Sequence, residues 1–168
     1  MSLSYFDLTV PVFLRGLERM SAFLDKADVH AQAKNIKVDT LLSARLAPDM
    51  YDLVGQVHTA TYIAKISAEY LSGVEGPGFA GDETTLEQLR ERIAVLVGFL
   101  ESLTPADYQD NAGKPVNLTI PGMEMTFTQQ DYLFKFGLPN FNFHLVNTYG
   151  ILRNNGVPLG KMDFLGSL

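Results

Sequence analysis

Residues 128–156, TQQDYLFKFGLPNFNFHLVNTYGILRNNG, form the longest part of the sequence with the pattern of one helix. Thr128 and Asp131 have the spacing of a capping box, in which a hydroxyl and an acidic group satisfy free amides at a helix start. Gly156 can adopt the left-handed conformation that ends a helix, and Pro158 cannot extend it. The sequence therefore predicts a long helix, and we expect it to be the central helix of an α-helical bundle.

Gly137 and Pro139 interrupt the helical pattern of this stretch. A proline inside a helix has no amide hydrogen for the carbonyl four residues earlier, and its ring clashes with that turn. Sharp bends in helices are usually found at such positions. The sequence therefore predicts a kink between Phe136 and Pro139.

A polar stripe follows the predicted kink. Asn140, His144 and Asn147 are spaced so that they share one face of the helix, and aromatic residues flank them. Such a stripe is what a partly buried polar pocket in a helical bundle needs. His144 has two interpretations here: a core histidine satisfied by one or two hydrogen bonds, or a residue that contacts a ligand.

The composition is that of an ordinary globular protein. Its 168 residues, 46% of them hydrophobic, fit one domain with a sizeable core. The net charge of -6 and the pI of about 4.9 argue against binding to nucleic acids or anionic membranes, which would need a basic face. The absence of cysteine excludes disulfides, thiolate metal sites and a cysteine nucleophile. No apolar run resembles a membrane helix or a secretion signal, so we expect a cytoplasmic protein.

Three further long helices are predicted upstream. The first has the capping-box spacing of Ser4 and Asp7 and contains Pro11, so it either bends at Pro11 or begins there. The third begins with a similar spacing, Thr84 to Glu87, and nothing on it suggests chemistry. The link after the first helix is long and irregular, and we expect one short helix within it. The predicted ranges are 4–28 for the first helix, 30–50 for the link, 51–74 for the second helix and 84–102 for the third.

The second helix has two faces of different character. One face carries His58 and Tyr62, four residues apart. If this face turns toward the fourth helix, His58 and His144 meet inside the bundle; if it turns outward, His58 is a surface residue. The other face allows close approach of a neighbouring helix and consists of Leu53, Val57, Ala60, Ala64, Ala68 and Leu71.

Residues 114–127 have the alternation of a β-hairpin, with a turn at Pro121 and Gly122. Because an isolated hairpin is not stable in water, we expect it to pack on the bundle or on a second copy of the chain. The tail, residues 157–168, is too apolar to remain free in solution and is expected to dock on the bundle or on a partner. The side chains available for docking are Leu159, Phe164 and Leu165.

Three runs of the sequence resemble the DinB/YfiT-like superfamily and, within it, an uncharacterised bacterial family. The resemblance spans essentially the whole chain, so one domain over residues 1–168 is expected. It implies an all-α fold, an up-down-down-up four-helix bundle with a small β-hairpin before the fourth helix, and commonly a homodimer. The runs are LPNFNFHLVNTYGILRNNGVPLGKMDFLG (138–166), RLAPDMYDLVGQV (45–57) and DETTLEQLRERI (82–93).

The same resemblance implies a divalent metal, which the broader superfamily often holds on three histidines. One histidine comes from the second helix and two come from the fourth, four residues apart. In this sequence the positions fall on His58, Asn140 and His144, so the third histidine is missing. A carboxamide is a weak replacement for imidazole on a transition metal, and catalytic zinc normally keeps three protein ligands. We therefore expect no cofactor; the alternative is zinc, nickel or manganese on His58 and His144.

The sequence leaves three functions open. The favoured one is a polar small-molecule pocket between the second and fourth helices. The first alternative is a divalent-metal-dependent transferase or hydrolase that uses His58 and His144. The second is a non-catalytic module that dimerises through the bundle and the hairpin. The predicted pocket lining is Asn140, His144, Asn147, His58 and Tyr62.

Overall fold

The computed structural model describes residues 3–120 and 122–166. Within them, four long helices form the bundle and a two-stranded hairpin precedes the last one, which confirms the predicted all-α class. The long helices are Tyr5–Lys34 (α1), Leu53–Ser72 (α3), Leu86–Ser102 (α4) and Leu138–Asn154 (α7). The shorter elements are Val38–Leu42 (α2), Pro105–Asp110 (α5), Gln129–Tyr132 (α6), Lys161–Leu165 (α8), Val116–Ile120 (β1) and Met123–Phe127 (β2).

The first and last long helices run in the same direction. Phe13 of α1 packs edge-on against Phe141, early in α7. Further along both helices, Phe23 of α1 packs against Tyr149 of α7. Because contacts advance together along the two helices, α1 and α7 are parallel.

The two middle helices are also parallel to each other. Arg92, near the start of α4, donates a hydrogen bond to Thr61, in the first half of α3. Asn111, beyond the end of α4, donates to the carbonyl of Tyr70 near the end of α3. The chain therefore runs back along α3 before α4 begins. This return segment, residues 73–85, contributes to the candidate functional site.

Contacts between α3 and the fourth helix run in opposite order. Gln56, early in α3, meets His144 of α7, whereas Ser67, late in α3, meets Tyr132 at the end of α6. These helices are therefore antiparallel. Together with the two parallel pairs, this gives the up-down-down-up arrangement that the sequence resemblance implied.

The core lies between the four long helices. The small apolar face predicted for α3 is fully buried, and it packs more extensively against α7 than against any other element. Small side chains permit such close packing of helices. Over the ranges that the structure describes, no helix combines the length and the apolar character needed to cross a membrane. The largest fully buried side chains include Phe13, Leu17, Met20, Phe23, Leu53, Leu89, Leu96, Tyr132 and Phe141.

A π-helical turn, Leu133–Gly137, joins α6 to α7 and makes one continuous helical segment. It overlaps the predicted kink at Phe136 and Gly137, and α7 continues from Leu138 through Pro139, which supplies no amide hydrogen. A β-carbon at Gly137 would lie 3.0 Å from Oγ of Ser67, which itself lies 3.0 Å from the Tyr132 hydroxyl. Gly137 thus allows the irregular turn to approach α3 closely.

The first helix is longer than its sequence pattern indicated. It begins at the Ser4 cap with Asp7 completing the capping box, and it continues through Pro11. Its end lies at Lys34 rather than near residue 28, because Ala27 and Ala31 continue the buried face. The segment after residue 30 that was assigned to the link is therefore partly helix.

The third long helix begins one residue later than predicted. Thr85 is the N-cap of α4, and Gln88 completes the capping box in place of the predicted pair Thr84 and Glu87. Both pairs have the same spacing, so the sequence pattern fits two registers. Leu86 is buried in the observed register and anchors the first turn.

The hairpin packs on the bundle of its own chain. Its strands are antiparallel, with Val116 opposite Phe127. Val116 and Leu118 are buried, and the ring of Phe127 packs near that of Tyr132. Pro121, which was placed at the turn, lies outside the described residues.

The tail also docks on its own bundle as far as residue 166. Leu159 is buried, and Phe164 stacks on Phe23. Lys26 of α1 forms an ion pair with Asp163 at 2.6 Å. Residues 167–168 of the predicted tail lie outside the described residues.

Candidate functional site

His144 lies in the interface between α3 and α7. Its Nδ1 atom is 2.7 Å from Oε1 of Gln56, whose amide nitrogen donates to the carbonyl of Tyr51 at 3.1 Å. Because that amide nitrogen is already used, Oε1 is the acceptor and Nδ1 of His144 carries the hydrogen. Burial lowers the pKa of His144, which favours the neutral ring. This is the geometry of a core histidine satisfied by a hydrogen bond.

The two asparagines of the polar stripe have different surroundings. Asn147 is buried, and its Nδ2 has no hydrogen-bond partner among the residues described here. Asn140 is half-buried and borders a pocket at the surface. The stripe therefore does not line one cavity: Asn140 reaches the pocket, and His144 and Asn147 do not border it.

This pocket has a volume of about 660 Å³ and lies between α3, residues 78–81, β1 and the start of the fourth helix. Three of the five predicted lining residues, His58, Tyr62 and Asn140, border it. Lys65 and Arg92 add cationic groups. Its aromatic and aliphatic wall consists of Tyr51, Tyr62, Ile63, Ile66, Phe79, Leu118 and Phe136.

A groove of similar volume, about 650 Å³, lies between α1 and α4. It contains none of the predicted site residues, and its lining has no histidine and no aromatic ring. Small-molecule sites usually combine an apolar or aromatic wall with a few converging polar groups. We therefore take the pocket beside α3 as the candidate site.

Arg92 is buried at this pocket and holds three segments together. Its Nε donates to Oγ1 of Thr61 at 2.6 Å, and its Nη1 donates to Oε1 of Glu83 at 2.8 Å. Its Nη2 donates to the carbonyl of His58 at 3.4 Å, and the ring of Phe79 covers the guanidinium at 4.0 Å. A buried charge is tolerated only with such partners. Arg92 thus fastens α4 to α3 and to the return segment.

His58 and Glu83 face each other beside Arg92. Nε2 of His58 is 3.1 Å from Oε2 of Glu83, within ion-pair distance, but the two atoms are not aligned for hydrogen bonding. Burial lowers the pKa of His58 and the charge of Arg92 lowers it further, against an opposing effect of Glu83. Burial would raise the pKa of Glu83, but the hydrogen bond and charge of Arg92 bring it below its usual value. A neutral imidazole therefore faces an ionised carboxylate at neutral pH.

The positions that the sequence resemblance assigned to a metal do not fit one. Asn140 takes the third histidine's place, and Nε2 of His58 lies 3.1 Å from Oε2 of Glu83. Across residues 3–120 and 122–166, no three His, Asp or Glu side chains form a group that could hold an ion. The donor set of this chain therefore differs from a three-histidine centre.

Sequence reasoning missed Glu83 and Arg92. The predicted apolar stripe of α4 contained Leu89, Ile93 and Leu96, and no chemistry was expected on that helix. Arg92 lies three residues after Leu89 and four before Leu96, so it belongs to the buried face by spacing. A cation within an apolar stripe was the available signal, but no local pattern indicates that Glu83 is its partner.

The structure of a DinB family member protein from Shewanella denitrificans is similar to this chain. The TM-score is 0.88 at 37% sequence identity, over 98% of this chain and 93% of that chain. The fold is therefore that of a DinB-like helical bundle, as the three sequence runs indicated. The family model for a domain of unknown function, DUF1993, matches residues 5–165, and the chain belongs to this family. No curated protein matches the chain.

Proposed function

We propose that this protein binds a small, flat organic molecule in the pocket beside α3. The observation that carries the proposal is one pocket with an aromatic wall and with His58 and Asn140 at its border. Its volume of about 660 Å³ lies within the range of about 300–1,000 Å³ that is usual for small-molecule sites. The favoured function from the sequence is kept, with a changed set of lining residues.

The charges at the pocket favour an uncharged ligand. Arg92 is paired with Glu83 at 2.8 Å, and Lys65 is paired with Glu69 at 2.9 Å. Each cation thus has an anion beside it, so neither is left to attract a ligand anion. Affinity would come from apolar contact with the aromatic wall, and orientation from hydrogen bonds.

Benzamide is a suitable probe because it combines an aromatic ring with uncharged donors and acceptors. We expect it to shift the amide NMR signals of α3 and β1 around the pocket. In Tyr62→Ala its affinity should fall by a factor of about three to ten, as expected for one aromatic contact. The Tyr62 side chain is 51% exposed, so this variant should still fold.

Phe134→Ala is the matched control, since Phe134 is a similarly exposed aromatic residue outside this pocket. It should bind benzamide like the natural protein. Equal binding by the Tyr62→Ala variant, or shifts confined to other parts of the chain, would contradict the proposed pocket.

We also propose that the protein forms a homodimer. The hairpin and the tail, which were two reasons for expecting a partner, pack on their own bundle. The remaining support is on α7, where Phe143 and Val146 are half exposed and where Leu46, another exposed apolar residue, lies against Gly150. Sedimentation velocity at micromolar concentration should show a dimer, and Val146→Glu should produce a monomer. A monomeric natural protein would overturn this proposal.

A further inference from the structure

Glu83 has one carboxylate oxygen that Arg92 does not use. Oε1 accepts the hydrogen bond from Arg92, whereas Oε2 is buried and has no donor aligned with it among the described residues. The donor available to Oε2 is Nε2 of His58, 3.1 Å away. The two atoms are not aligned for a hydrogen bond, but a negatively charged oxygen 3.1 Å away favours a hydrogen rather than a lone pair on Nε2 of the neutral imidazole.

The second ring nitrogen of His58 has a different environment. Nε2 is buried, but Nδ1 is not among the buried polar atoms that lack a partner, and it makes no hydrogen bond within the described ranges. His58 borders the pocket with about a fifth of its side chain exposed. With the hydrogen on Nε2, the ring's lone pair therefore lies on the more accessible nitrogen of a residue that borders the pocket.

Arg92 keeps this arrangement in place. It fixes Glu83 through Nη1, fixes the α3 backbone through the His58 carbonyl and Thr61, and lies under Phe79. The carboxylate cannot turn away from His58 without losing its bond to a buried cation. The imidazole is thus held by Glu83, which does not itself border the pocket.

The other uncharged acceptors at the pocket are hydroxyl and carboxamide oxygens, such as those of Thr59, Thr119 and Asn140, which are weaker bases than an imidazole nitrogen. Lys65 is a donor only, and it is paired with Glu69. Apart from the carboxamide of Asn140, the wall near His58 is largely aromatic or aliphatic. An uncharged nitrogen acceptor beside aromatic rings matches a hydroxyl group carried on an aromatic ring.

We propose that Glu83 fixes His58 with its hydrogen on Nε2, so that Nδ1 selects phenol-like ligands by accepting their hydroxyl hydrogen. This inference rests on the proposed small-molecule pocket and narrows its ligand to one chemical class. Glu83 is a positioning residue, because it acts through the imidazole.

The position of the hydrogen can be measured without a ligand. Long-range proton–nitrogen NMR of the imidazole distinguishes a nitrogen with a hydrogen from one with a lone pair. In the natural protein at neutral pH, we expect the hydrogen on Nε2 of His58. Glu83→Gln keeps an oxygen for Arg92 but can present an amide donor to His58, so the hydrogen should move to Nδ1. A natural protein with the hydrogen on Nδ1, or no change in Glu83→Gln, would overturn the role of Glu83.

Phenol and anisole test the ligand class, because they share a ring and only phenol has a hydroxyl hydrogen. Phenol at millimolar concentration should shift the Nδ1 signal of His58, anisole should not, and Glu83→Gln should lose the phenol effect. If benzamide binds but phenol and anisole act alike, selection by Nδ1 is refuted while the proposed pocket is supported. If none of the three binds, both the proposed pocket and this inference are refuted.

Discussion

Nδ1 of His144 and Oε1 of Gln56 are 2.7 Å apart inside the bundle, where they join α7 to α3. Gln56 is 1% exposed and His144 is 6% exposed, so water does not readily replace either partner. The pair therefore acts as a buried polar connection between the two helices that pack most extensively against each other.

Gln56→Leu should destabilise the protein by about 1–3 kcal/mol, because Nδ1 of His144 would lose its acceptor while remaining buried. Urea unfolding measures this change in the free energy of unfolding. His144→Phe in the same background should restore part of the loss, since it removes the unpaired group. If the Gln56→Leu variant is as stable as the natural protein, the hydrogen bond contributes little to stability.

The stability of the fold should decrease as the solution becomes more acidic. Burial lowers the pKa of His144 below its ordinary value of 6.5, so the unfolded chain takes up a proton first as the pH falls. His58 acts in the same direction. The loss of stability begins as the pH falls through the ordinary pKa of histidine. It levels off below the pKa that the ring has in the folded state.

Urea midpoints at about pH 7.5 and about pH 5.5 would measure this dependence. His144→Gln should flatten it, whereas His30→Gln leaves both histidines in place and should retain it. If the stability of the His144→Gln variant falls as steeply with pH as that of the natural protein, the pH dependence does not come from His144.

Arg92→Met should destabilise the protein by about 3 kcal/mol, because Glu83 would keep its charge with no cation beside it. Adding Glu83→Gln should recover much of the loss by removing that charge. Thermal unfolding of the single and double variants gives the comparison. A double variant less stable than Arg92→Met would show that the ion pair is not the main contribution of Arg92.

Gly16→Ala should also destabilise the protein. A β-carbon there would lie 2.4 Å from Cε1 of Phe141, which is itself packed against Phe13. Such overpacking costs about 1–3 kcal/mol, more than the ~1 kcal/mol that alanine gains over glycine in a helix. Gly98→Ala is the control, since nothing lies within 4 Å of its β-carbon and a gain is expected. Stabilisation by both changes would contradict the close contact between α1 and α7.

Zinc, nickel and manganese should not be retained at one ion per chain after incubation and dialysis. The reason is the donor set: Asn140 stands where the third imidazole would be, and among the described residues no three His, Asp or Glu side chains form a group that could hold an ion. Elemental analysis of the natural protein and of His144→Ala tests this expectation. If the natural protein retains one equivalent of metal ion and the His144→Ala variant does not, the metal-dependent alternative would be favoured again.

The helices could be predicted because their signals are local. The buried face of α3 follows from the spacing of its small residues, and Pro139 marks the irregular turn by its missing amide hydrogen. Its π-helical form could not be predicted, since it depends on how Ser67 and Tyr132 meet across two helices. Helical periodicity identifies a face but does not state which partner that face will meet.

The site was only partly predictable for the same reason. His58, Tyr62 and Asn140 lie on helix faces that the sequence pattern identifies, and they border one pocket. Glu83 is in an irregular segment, and its partnership with Arg92 exists only after α4 has packed beside α3. Charge pairs between distant segments leave no periodic signal, so the sequence pattern could not identify Glu83 as the group beside His58.

The parallel direction of α3 and α4 has a consequence for how the pocket could diversify. α3 has 20 residues and is therefore about 30 Å long, and residues 73–85 must cover most of that distance on the way back. Extended backbone spans at most about 3.3–3.6 Å per residue, so these 13 residues could reach roughly 43–47 Å and the return segment has length to spare. It can also gain length at small entropic cost. Because it carries Phe79 and Glu83, insertions there would reshape the pocket while the four helices and their core stay unchanged, so the shape of the pocket can change without loss of stability.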